Sequence, residues 1–84
     1  MKLKHKADYI LDFRGSIASM SLLKMTRIFK EMKSGQVIEI IGSDPDMQND
    51  TLKVLPESSF EVIFMDVVEN EGYFYQVQIR KRME

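Results

Sequence analysis

The chain has 84 residues, 44% of them apolar and 30% charged, with a net charge of −1. That length holds one small domain, and the composition suits a globular chain rather than a disordered or fibrous one. No apolar run reaches the roughly 18 residues of a membrane span, and the lack of cysteine excludes disulfides, thiolate metal sites and cysteine nucleophiles.

The charge is unevenly spread. Residues 1–33 carry eight Lys/Arg against three Asp/Glu, and residues 34–84 carry four against ten. A basic first half favours an acidic or phosphate-bearing partner; alternatively, the two halves offset each other within one fold. Residues 1–7 form an expected flexible basic tail ahead of a single domain at 8–81. No apolar segment follows the N-terminal charges, so no secretory signal is expected and the cytoplasm is the default. His5 is the sole histidine and falls in that tail, which argues against a metal site.

Asp8 to Asp12 predicts a strand, with Tyr9 and Leu11 on one face and Ile10 on the other. Gly15 permits a turn that other residues resist. A helix then starts at Ser19 or Ser21, both acceptable N-caps, and runs to about Lys33. Leu22, Met25, Phe29 and Met32, with Ile28 beside them, make one apolar stripe that faces a core. Lys24, Arg27, Lys30, Glu31 and Lys33 point elsewhere, and Gly35 is placed to end the helix as its C′ residue.

Gln36 to Ile41 predicts a buried strand, because Val37, Ile38, Ile40 and Ile41 are nearly continuous. The following Asp44, Asp46 and Asp50 lack the glycine and glutamate of a calcium loop, so they are expected in turns or caps. A second, shorter helix is expected from Gln48 to Leu55, burying Met47, Leu52 and Leu55 or Val54, with Pro56 limiting it. Phe60 to Val68 predicts a long strand in which Phe60, Val62 and Phe64 alternate with Glu61, Ile63 and Met65. Glu69-Asn70-Glu71-Gly72 is a hairpin turn, and Tyr73 to Lys81 is the return strand, with Tyr75, Val77 and Ile79 on one face.

The order is βαβαββ. It predicts an α+β two-layer sandwich: a four-stranded mixed sheet with two helices on one face, and a parallel first pair joined by a right-handed crossover. The opposite sheet face would stay partly open and is a candidate interaction or homodimer face. The strand-to-helix junction is the expected place for chemistry, because a helix start offers unpaired N–H groups and partial positive charge. From Gly15 to Ser21, however, it holds no thiol, imidazole or carboxylate.

Leu11-Asp12-Phe13-Arg14-Gly15 resembles the Leu-Asp-x-Arg-Gly opening of the TusA/SirA-like sulfur-carrier proteins. The amphipathic helix, Lys33-Ser34-Gly35-Gln36-Val37, Asp44-Pro45, Asp50, and Tyr75 with Ile79-Arg80-Lys81 follow in the same order and spacing, over about residues 8–81. The resemblance implies the same βαβαββ sandwich, with Leu11, Asp12, Arg14 and Gly15 as a structural motif. Members of that family carry sulfane sulfur as a persulfide on the cysteine of a Cys-Pro-x-Pro motif after the glycine. A helix N-terminus would activate such a thiolate. In this chain the corresponding residues are Ala18, Ser19, Met20 and Ser21. The cysteine and both prolines are absent.

Three functions compete. The first is a non-catalytic binding module, docking to a protein of a sulfur-transfer or redox system through Lys24, Arg27 and Lys30, with no catalytic residue, metal or cofactor of its own. The second is a sulfur-relay role by a non-persulfide route, through an anion bound at the helix N-terminus or a cysteine supplied by a partner. The third, nucleic-acid binding, is disfavoured by overall acidity and by the lack of any recognised motif.

Overall fold

A computed structural model describes residues 6–15, 18–43, 50, 52–69, 72 and 74–82. Its elements are β1 (Tyr9–Asp12), α1 (Ala18–Glu31), β2 (Val37–Gly42), β3 (Phe60–Val68) and β4 (Phe74–Lys81). They form one four-stranded mixed sheet in the order β1-β2-β4-β3, with β1 parallel to β2 and both other pairs antiparallel. The predicted mixed sheet and parallel first pair are therefore present. The basic tail lies almost wholly outside the described residues.

Pairing aligns side chains into rows across the sheet. Tyr9, Ile38, Ile79 and Val62 make one row, and Leu11, Ile40, Val77 and Met65 the next. The members of these rows on β2 and β4 are buried, and they share a core with Met25, Phe29 and Met32 of α1. Burying that helix stripe against the sheet is the main stabilising contact of a domain this small. Between the two rows, on the opposite face, lies Ile10, Glu39, Gln78 and Phe64. Here the central pair is polar yet buried, and the Gln78 amide donates to the Glu39 carboxylate at 2.9 Å. A buried polar pair is tolerated when its members are hydrogen-bonded to each other.

Helix α1 begins at Ala18, so neither Ser19 nor Ser21 is its N-cap. Ser21 lies one turn before Met25 on the same face, and it is a small buried residue at the top of the stripe. The helix ends at Glu31, and Gly35 is not its C′ residue. With φ at +89°, Gly35 instead sits in a turn where the Gln36 N–H donates to the Lys33 carbonyl at 3.1 Å. The C-terminal carbonyls of the helix are met from elsewhere. The Lys81 ammonium donates to the carbonyls of Phe29 and Met32, each at 2.8 Å, and to that of Lys30 at 3.3 Å. It also lies 5.2 Å from the Phe29 ring centroid. One cation at the end of β4 thus does the work expected of a glycine. The adjoining backbone repeats the tie, because Gly35 N–H donates to Lys81 and Lys81 N–H to Gln36.

The expected alternation in β3 holds only as far as Val62. Val62 pairs with Ile79 and Phe64 with Gln78, so Ile63 is an extra, bulged residue. A bulge reverses which residues share a face. Phe64 therefore turns away from Phe60 and Val62, while Met65 and Val67 join their side. Among the described residues there is one α-helix rather than two. The predicted Gln48–Leu55 helix falls largely on residues outside those described. What is described of it is one turn, with Val54 N–H donating to the Asp50 carbonyl at 3.1 Å, before Pro56 and a 3-10 turn at Glu57–Ser59. Proline lacks the N–H that would continue the helix. Leu52 and Leu55 still reach the core as expected.

Candidate functional site

The junction after β1 is shaped by four successive residues. Leu11 and Phe13 are buried in the core, so the chain is pinned on both sides of Asp12. Asp12 and Arg14 turn outward and grip each other. Arg14 Nε donates to Oδ1 at 2.9 Å, Nη2 donates to Oδ2 at 2.6 Å, and the Arg14 backbone N–H donates to Oδ1 at 3.1 Å. This fork is the bidentate geometry that guanidinium favours. The hydrogen bonds from Arg14 hold the Asp12 carboxyl below its ordinary value, and the carboxylate raises Arg14 in return. Gly15 follows with φ at +78°, a conformation that disfavours a side chain. Leu11, Asp12, Arg14 and Gly15 thus shape the turn that follows β1.

Between β1 and the start of α1 lies a groove of about 730 Å³. Ile10, Met20 and Leu23 give it an apolar surface, while Lys24 and Arg27 supply charge. These three apolar side chains are 63%, 67% and 63% exposed, more than any other large apolar side chain described. Asp12 is the one carboxylate among the described lining residues, and Arg14 already holds it. Ser21 lines the groove but is buried. The described lining residues include no imidazole, and the chain has no thiol. Among the described residues, no group of three metal-ligating side chains comes together.

The structure brings together Asp12, Gly15, Ser21, Lys24 and Arg27 around this groove. Lys30, in the last turn of α1, is exposed but lies outside it. Ala18 opens the helix and Ser19 follows it, which puts the three motif-equivalent positions at the helix N-terminus. From sequence, Ile10 has only a strand face and Met20 only a place in the motif-equivalent run, and none of Ile10, Met20 and Leu23 is assigned to a binding surface. Met20, Leu23 and Arg27 do recur at i, i+3 and i+7, a second stripe beside the core-facing one, and that spacing was the available signal.

The described residues form a small α+β fold in which a glycine turn after β1 precedes the helix. The chain belongs to the sulfurtransferase TusA family, whose family model matches residues 9–81. It is also similar to a protein of Archaeoglobus fulgidus described as "Putative sulfur carrier protein", at 24% identity over 72 residues, covering 86% of this chain and 94% of the relative.

Proposed function

We propose that this chain is a TusA-family domain that has become a non-catalytic binding module. It docks to a protein of a sulfur-transfer or redox system, in the cytoplasm, and carries no sulfur itself. One observation supports this above the others. The family model matches residues 9–81 and the Leu11–Gly15 motif stands in the chain, yet the chain has no cysteine anywhere. A persulfide needs a thiolate, and neither alanine nor serine can replace one. The remaining feature with evident capacity is the groove, with Lys24 and Arg27 beside exposed apolar side chains. Lys30 extends the cationic face along the helix. The expected second helix, completing a two-layer sandwich over residues 8–81, belongs to the same proposal.

The test is direct. The purified protein is incubated with a cysteine desulfurase and cysteine, and its intact mass is followed. An unchanged mass is expected. A stable gain of one sulfur atom would overturn the proposal and favour sulfur relay by a route without cysteine.

A further inference from the structure

We propose that the groove receives an extended, acidic and apolar segment of a partner polypeptide, added as a strand along the free edge of β1. The proposal rests on the docking role above and specifies the partner's chemistry. Three independent observations lead to it.

The first is backbone. β1 stands at the end of the sheet order, and its one neighbour among the described strands is β2. Its outer side therefore offers peptide groups that the sheet does not use. Such an edge recruits extended chain, whose main-chain hydrogen bonds supply affinity. At about 3.3 Å per residue, four residues of β1 accommodate a partner strand of roughly that length.

The second is apolar area. Met20 and Leu23 project from α1 on the groove side and Ile10 from β1, and all three are mainly exposed. An added strand would meet them with alternate side chains, which are one residue in two on each face. These apolar contacts distinguish a polypeptide from a nucleic-acid backbone, which would need stacking aromatics or further cations.

The third is charge. Lys24 and Arg27 are exposed and have no acidic partner among the described residues. The groove's own carboxylate is held by Arg14 at 2.6 Å, so it neither offsets these cations nor repels an incoming acid. The complementary segment thus carries carboxylates as well as β-branched or aliphatic side chains. The opposite edge differs. Val62, Met65 and Val67 of β3 are also partly exposed, but the bulge at Ile63 interrupts the regular ladder there. Bulged edges pair poorly with new strands.

The probe is an array of ten-residue peptides drawn from Glu, Lys, Val, Ile and Ser, applied to the whole protein. Peptides alternating Glu with Val or Ile should bind about tenfold more strongly than those with Lys for Glu. The best peptide, N-methylated at alternate residues, should lose about tenfold, because it can no longer donate along one edge. Leu23→Asp and the double variant Lys24→Glu/Arg27→Glu should each lose about tenfold while keeping the wild-type circular dichroism, since these side chains are exposed. Equal binding of Glu and Lys peptides, or full binding by the N-methylated peptide or by Leu23→Asp, would overturn the proposal. Sedimentation showing a wild-type dimer that Leu23→Asp separates would also overturn it, by assigning the groove to a second copy. A sulfur adduct in the mass experiment would sink the non-carrier role while leaving these binding outcomes unaffected, so the two failures are distinguishable.

Discussion

The two ends of α1 are built to opposite specifications. At its C-terminus every local feature closes the structure. Lys81 reaches the carbonyls of Phe29, Lys30 and Met32, and the turn at Gly35 is tied back to β4. At its N-terminus apolar side chains stand in solvent and cations lack acidic partners among the described residues. A domain of 84 residues has little stability to spare. Three large apolar side chains nevertheless stay outside the core at this end, which is where the proposed docking groove lies. Tertiary hydrogen bonds are concentrated at one end of the helix, and the proposed docking surface lies at the other.

The strongest way to break this contrast is at Lys81. Lys81→Met keeps the aliphatic stem over Phe29 but removes two partly buried hydrogen bonds, to the Phe29 and Met32 carbonyls, and an exposed one to Lys30. A loss of about 1.5–3 kcal/mol in urea unfolding is expected, the range for hydrogen bonds to a charged group. Peptide binding at the groove should survive wherever the variant remains folded. A smaller effect is expected at the other end. Gly15→Ala meets no neighbouring atom, since an added Cβ has open space, but φ at +78° strains any side chain there. About 1–2 kcal/mol is expected, and because the turn sets where α1 starts, the variant should alter groove binding as well as stability.

The smallest expected effect concerns the Asp12–Arg14 fork, which is half exposed and so contributes little to stability. Its sign is nonetheless fixed. The folded Asp12 pKa lies below the model-compound value of 3.8, so the contribution is complete above that value and is lost as pH falls through the folded pKa. Thermal unfolding of wild type and Asp12→Asn should therefore differ slightly at neutral pH and converge in strong acid. A difference that grows as pH falls would contradict the fork.

Much of this was legible in the chain because periodicity reports burial. The stripe of Met25, Phe29 and Met32, the continuous apolar run of β2, and the hairpin all follow from spacing alone. The misjudged features depend on contacts between distant residues or on local backbone detail. No pattern near Glu31 reveals that a lysine some fifty positions later caps the helix, so local sequence points to Gly35 for that work. The bulge at Ile63 leaves the alternation of β3 formally intact, and only pairing with β4 shows that the parity has changed. Ser21 resembles a cap by residue type, but it lies inside α1 and is buried on the same face as Met25. In the groove, the cations Lys24 and Arg27 were evident from sequence. Ile10, Met20 and Leu23 were not, because exposure of an apolar side chain is a property of the assembled edge rather than of the residue.

The placement of β4 carries one more consequence, for how the domain comes into being. The last strand of the fold is an interior one, inserted between β2 and β3, and its final residue holds the lysine that closes α1. No earlier portion of the chain can assemble a finished sheet, since β2 lacks its second neighbour until β4 arrives. During synthesis the first strand–helix–strand unit must therefore wait, its apolar stripe unsheltered, until nearly the whole domain has emerged. Folding should then be a single late event dominated by distant pairings, slower than that of a helical bundle of equal length.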